Sequence, residues 1–151
     1  MAAGMEVQFD DLFREVILDH YKRPRHHGEL PAPTLRLEGM NPVCGDEVEL
    51  DLDVSNGTIR DVRFRGRGCS ISQASTSMLT ECIAGRPVAD ALRMADAFRA
   101  MMMEGAPPTP ELGDLEALQG VAKYPVRVKC ALLGWNVLQQ GLRPLVEDNH
   151  G

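Results

Sequence analysis

From Glu47 to Val54 the chain alternates without a break, with Val48, Leu50, Leu52 and Val54 set against Glu47, Glu49, Asp51 and Asp53, and it then runs into Ser55-Asn56-Gly57-Thr58. Successive side chains of a strand point to opposite faces, so this pattern calls for a strand with one apolar and one charged face. Asn-Gly is the pair that most readily adopts the positive φ angles of a tight hairpin turn, so the chain is expected to return as a strand through Ile59 to Arg65. A two-residue turn sets Val54 opposite Ile59, but an unbroken ladder would then place Leu52 opposite Asp61. One extra residue near Arg60 or Asp61 repairs the mismatch. It pairs Leu52 with Val62 and Leu50 with Phe64 on the apolar face, and Asp51 with Arg63 and Glu49 with Arg65 on the wet face. The basic run at 60–67 is therefore read as a cross-strand charge ladder rather than a binding patch.

An apolar sheet face must be covered, and the remaining periodicities supply helices to do it. A further strand is expected through Leu35 and Leu37, ahead of Asn41 and Pro42. Phe9, Leu12, Phe13, Val16, Ile17 and Tyr21 recur at helical spacing until Pro24. Ile71, Ala74, Met78, Leu79, Cys82 and Ile83 form a second stripe ending at Gly85. Pro87 opens a third, through Val88, Ala91, Leu92, Ala95 and Phe98, which runs into Met101-Met102-Met103; that triplet is read as core packing or a partner contact. Beyond the stiff Pro-rich connector at 105–110, a short helix is expected through Leu112, Leu115 and Leu118. Pro125 starts the last helix, with Val128, Ala131, Leu132, Trp135 and Leu138 inward and Gly141 at its end. The fold class is thus α+β, a three-stranded antiparallel sheet packed against several α-helices, with residues 1–151 as one domain.

Charge and hydropathy narrow the setting. Asp and Glu number 22 against 16 Lys and Arg, a net charge of −6, which disfavours binding to phosphate backbones. Met1 to Phe13 has neither the basic nor the apolar region of a secretory signal, and no apolar run is long enough to span a bilayer. No nucleic-acid or membrane partner is expected, and the expected location is cytoplasmic. In that reducing compartment four cysteines point to metal or thiol chemistry rather than disulfides. The absence of a C-x-x-C pair argues against a thioredoxin-like motif and against a zinc ribbon.

Three of the cysteines sit where a fold can present sulfur. Cys44 lies in a Pro/Gly turn, with Asp46 two residues on across the permissive Gly45. Cys69 precedes a helix N-terminus, with Ser70 and Ser72 as cap candidates. Cys130 falls in the first turns of the last helix. Three thiolates and a carboxylate would close a tetrahedral shell around zinc, or hold an iron-sulfur cluster with one weak ligand. Around a divalent ion that set carries excess negative charge, which Arg127 and Lys129 would offset unless they simply face solvent. Taken alone, Asp46 reads equally well as a turn cap. Cys82 lies on an apolar helix face and is read as core. His20, His26 and His27 share no spacing with the cysteines and are read as surface residues or partner contacts.

The segments N-P-V-C-G-D at 41–46, R-G-R-G-C-S-I-S at 65–72 and V-K-C-A-L-L-G-W at 128–135, with D-H-Y-K-R-P-R-H-H-G at 19–28, resemble the iron-sulfur cluster assembly family of IscU, SufU and the NifU N-terminal domain. The resemblance covers nearly the whole chain. IscU-like members carry a histidine immediately before the third cysteine, where this chain has Lys129. The extra stretch at roughly 96–115 also resembles the SufU branch. The resemblance implies a zinc ion held by Cys44, Asp46, Cys69 and Cys130. It further implies a sulfur relay with a SufS-type cysteine desulfurase, serving downstream cluster-assembly proteins. Cys44, on a turn where a side chain can swing, is taken as the persulfide acceptor. The alternative within the family is a scaffold that builds and transfers a 2Fe-2S cluster on the same four residues. A structural-zinc module fits less well without close ligand pairs, and a zinc hydrolase lacks an H-E-x-x-H pattern.

Overall fold

A computed structural model describes residues 13–148. A helix over residues 13–22 (α1) leads to three strands, β1 (Leu35–Asn41), β2 (Asp46–Ser55) and β3 (Thr58–Arg67). Helices α2 (Ser70–Ile83) and α3 (Val88–Glu104), a 3-10 segment (Pro110–Lys123) and α4 (Pro125–Asp148) follow. The strands form one antiparallel sheet in the order β1-β2-β3. Within the described residues no helix is long and apolar enough to cross a membrane.

The hairpin has the register that its alternation demands. Leu50 faces Phe64, Leu52 faces Val62 and Val54 faces Ile59, and the ladder shifts between Asp53 and Val54, leaving Arg60 as the extra residue. Asn56 and Gly57 carry the turn at φ 53° and 74°. Across the strands Arg65 meets Glu49 at 2.6 Å and Arg67 meets Glu47 at 2.7 Å, so the charge ladder is present. The Asp51–Arg63 rung differs from expectation at both of its ends. Arg63 turns to Asp61 on its own strand instead of crossing to Asp51. Asp51 is not on a wet face at all: it is fully buried. Arg36, directly opposite on β1, donates to it at 3.0 Å, Arg65 at 3.1 Å and the Leu30 backbone N–H at 3.0 Å.

Val48, Leu50, Leu52, Ile59, Val62 and Phe64 fill the other face and join the inner stripes of α2, α3 and α4 in one core. Phe98 and Trp135 lie at its centre, their rings 5.6 Å apart. In α1, Val16 and Ile17 pack on this core, whereas Tyr21 is 45% exposed. Phe9 and Leu12 of the expected stripe lie outside the described residues. The methionine triplet divides, with Met101 and Met102 in the core and Met103 exposed. The expected short helix is a 3-10 segment with its leucines buried and a break at Gly113, where φ is 53°.

Two sequence expectations are corrected. Helix α4 does not end at Gly141. A Cβ at that position would lie 2.3 Å from Leu37 Cδ1, so this glycine admits β1 against the helix rather than terminating it. His20 is not a surface residue but is 1% exposed. Its Nδ1 lies 2.7 Å from Ser77 Oγ and its Nε2 2.9 Å from Asp114 Oδ2, tying α1 to α2 and to the 3-10 segment. His26 Nδ1 lies 3.1 Å from Thr80 Oγ1, and exposed His27 sets its ring edge against Phe64. The stretch 26–28 is thereby laid along the free edge of β3, with Phe64 N–H donating to His26 and Gly28 N–H donating to Phe64.

Candidate metal and sulfur site

The site is made where β1 turns into β2. Gly45, at φ 70°, donates its N–H to the Asn41 carbonyl at 2.8 Å and closes the turn. This leaves Cys44 half-buried at the rim and drops Asp46, the first residue of β2, fully into the interior. Asp46 Oδ1 accepts the Cys69 backbone N–H at 2.8 Å, and Oδ2 lies 3.7 Å from Cys69 Sγ. The approach depends on Gly68: a Cβ there would stand 2.2 Å from Asp46 Oδ1.

Cys69 is itself the N-cap of α2, its sulfur accepting the Ser72 N–H at 3.4 Å. The caps expected from the sequence, Ser70 and Ser72, are both inside the helix; Ser72 instead donates its hydroxyl back to the Cys69 carbonyl at 3.1 Å. A sulfur at this end of the helix faces exposed N–H groups and the positive pole of the helix dipole. The first turns of α4 bring in Cys130, fully buried, with its Sγ 3.0 Å from Cys44 Sγ. The Val126 carbonyl lies 3.6 Å from Cys130 Sγ and 3.9 Å from Cys44 Sγ. Donor atoms of Cys44, Asp46 and Cys130 fall within 4.8 Å of one another, and Cys69 adjoins them through Asp46. The four residues singled out by spacing and resemblance are thus brought together from a turn, a strand start and two helix starts.

Burial, followed by hydrogen-bond contact with Asp46, Cys44 and Cys69, pushes the Cys130 thiol well above its usual range. Arg127 gives the complementary reading. The charges of Cys69 and Cys130 hold its guanidinium more firmly protonated. Lys129 lies elsewhere, lining a cavity with Met40 and Asn41. Cys82 stays apart from the site: its Sγ is 3.5 Å from the Leu112 carbonyl, and burial above all pushes its thiol up to about 12. Spacing had not revealed Gly68 as a supporting residue, although a glycine immediately before a site cysteine was the available signal. The Val126 carbonyl left no signal, because any residue provides one.

A fully buried carboxylate beside three sulfurs, with no ion pair among the described residues, fits a bound cation. Such a carboxylate is costly to bury alone, and mixed thiolate and carboxylate donors suit zinc or an iron-sulfur cluster. Fold and site together define a small α+β protein built to hold a soft metal or to handle sulfur, with Cys44 and Cys69 half-buried and Asp46 and Cys130 fully buried. Residues 12–143 match the family described as NifU-like N terminal domain, and the chain belongs to that family. It is 44% identical over 140 residues to the zinc-dependent sulfurtransferase SufU of Bacillus subtilis (strain 168), covering 92% of this chain and 95% of that protein. It is 39% identical over 144 residues to the iron-sulfur cluster assembly scaffold protein IscU of Streptococcus pyogenes serotype M1, covering 95% and 90%. The crystal structure of a nitrogen-fixing NifU-like protein (N-terminal) from Brucella abortus superposes with a TM-score of 0.82 at 26% identity, covering 91% and 96%.

Proposed function

We propose that this chain is a zinc-dependent carrier of persulfide sulfur for iron-sulfur cluster assembly, receiving sulfur on Cys44 from a SufS-type cysteine desulfurase in the cytoplasm. The observation that carries this reading is the placement of Cys44 on a half-exposed turn with Asp46 and Cys130 fully buried behind it. Cys69, by contrast, is engaged as a helix cap. Cys44, Asp46, Cys69 and Cys130 are the residues that would hold the metal. A zinc ion there would keep the sulfurs deprotonated near neutral pH and offset their mutual repulsion.

In the transfer, the Cys44 thiolate attacks the outer sulfur of the desulfurase persulfide. The donor S–S bond breaks, its electron pair leaves on the donor cysteine sulfur, and a new S–S bond forms on Cys44. The sulfane sulfur moves with its oxidation level, so no external oxidant or reductant is consumed. Arg127 keeps positive charge beside the sulfurs throughout. Exposed Val43, Tyr124 and Val126 provide apolar contact area for a protein donor around the Cys44 rim.

The 39% identical relative named as an IscU scaffold favours a second reading, in which the same residues assemble a cluster as cargo. The test is peptide mass analysis after incubating the zinc-loaded protein with desulfurase and cysteine. A persulfide on the Cys44 peptide is expected; sulfur mainly on Cys130 overturns the acceptor assignment. Anaerobic incubation with iron and sulfide adds a second arm. A stable chromophore with charge-transfer absorption, formed without persulfide on Cys44, replaces relay with scaffold.

A further inference from the structure

Beside the sulfur site, against another side of the first turns of α4, lies a cavity of about 580 Å³ that the proposed transfer does not use. That volume is typical of small-molecule pockets. Its walls include Met40, Met102, Met103, Leu132 and Leu133, adaptable apolar side chains suited to an apolar body. Its charged lining residues are both cations. These are Arg99 and Lys129, and among the described residues neither has a carboxylate partner. Arg99 donates only to the neutral side-chain oxygens of Asn136 and Gln139.

Asn41 is held in place as part of the wall. It lines the same cavity, is 9% exposed, and its Oδ1 accepts the Val43 N–H at 3.2 Å, which fixes the orientation of the amide. Its Nδ2 is then a buried donor with no acceptor. We propose that this cavity binds a small organic anion, its carboxylate taken by Arg99 and Lys129 and its apolar body lodged among the methionines. Arg is well suited to the head group, because its planar fork matches a carboxylate in two-point contact. Asn41 and Pro42 lead directly into Cys44, and Lys129 precedes Cys130, so an occupant would sit against both sulfur-bearing segments.

The test titrates methionine-methyl-labelled, zinc-loaded protein with octanoate, 1-octanol and acetate, read by NMR. Octanoate is expected to shift the Met40, Met102 and Met103 methyls saturably and to bind at least about tenfold more tightly than either control. An Arg99→Gln, Lys129→Gln double variant, with its fold checked by circular dichroism, is expected to lose about tenfold in octanoate affinity. If the double variant misfolds, exposed Lys129→Gln alone provides the comparison, with a smaller loss expected. Equal binding of octanol and octanoate overturns the proposal, as do unchanged affinity on charge removal and saturable shifts confined to other methyls. Failure of octanoate to bind while a desulfurase protects the same methyls also overturns it and assigns the cavity to a protein partner.

Discussion

At the scale of single residues, Cys69 and Asp46 hold each other in place. The thiol caps α2, its backbone N–H binds the carboxylate, and Gly68 leaves the space in which the two meet. Gly68→Ala would put a methyl 2.2 Å from Asp46 Oδ1, at a φ of 142° that side-chain-bearing residues rarely adopt. We expect that variant to keep its helical and strand content by circular dichroism yet purify with much less zinc by elemental analysis. Undiminished zinc would mean that Asp46 does not depend on that gap. Cys82 makes the opposite prediction. With its thiol held up at about 12, it should resist iodoacetamide at pH 8 while Cys44 reacts. Cys82→Ala should leave sulfur acceptance unchanged and cost about 1 kcal/mol, measured by urea unfolding. Alkylation of Cys82 at a rate comparable to Cys44 would show that it is not part of the packed interior.

At the scale of elements, what was legible depended on whether one physical constraint governed a position or two. The β2–β3 hairpin was legible down to its extra residue, because alternation and turn chemistry admit one register that keeps Leu50 and Leu52 inward. His20 was legible in principle, since it follows Phe13 and Ile17 at helical spacing and shares their face. Its polarity led to the surface reading, while its hydrogen bonds to Ser77 and Asp114 are long-range contacts that spacing does not reveal. Gly141 was misread because a glycine that ends a helix and one that admits a neighbouring strand look the same in a sequence. The four site residues were recognisable, but the capping role of Cys69 and the nearness of Arg127 to the sulfurs depend on where the helices start in space. Gly66 offers a test of close strand approach. A Cβ there would lie 2.2 Å from the Glu47 carbonyl oxygen, a backbone atom that cannot rotate away. Gly66→Ala should therefore cost about 1–3 kcal/mol, read as a lower urea midpoint. An unchanged midpoint would show that β2 and β3 part there without penalty.

At the scale of the whole molecule, the sheet separates its tasks by face and by end. One face builds the core, one end presents sulfur, and the charged face is fastened over Asp51 by Arg36 of β1, Arg65 of β3 and the Leu30 N–H of the preceding loop. Because a single buried carboxylate joins all three segments, its ionisation should be felt by the entire fold. Burial by itself would raise the Asp51 pKa, but Arg36, the Leu30 N–H and Arg65 outweigh it and hold the carboxyl below its ordinary value of 3.8. A carboxyl whose folded pKa lies below its unfolded one stabilises the fold above the unfolded value. That contribution declines as the pH falls through 3.8 towards the lower folded value. Asp51→Asn keeps the shape, removes this titration, and weakens three charge-assisted hydrogen bonds, two from Arg36 and one from Arg65, a loss of about 1–3 kcal/mol at neutral pH. Urea midpoints followed from pH 6 to pH 3 should therefore fall more steeply for the wild type than for the variant, the two curves converging at the acid end. Parallel curves would mean that Asp51 does not titrate differently in the folded and unfolded chains, and that this carboxylate does not govern how the sheet responds to acid.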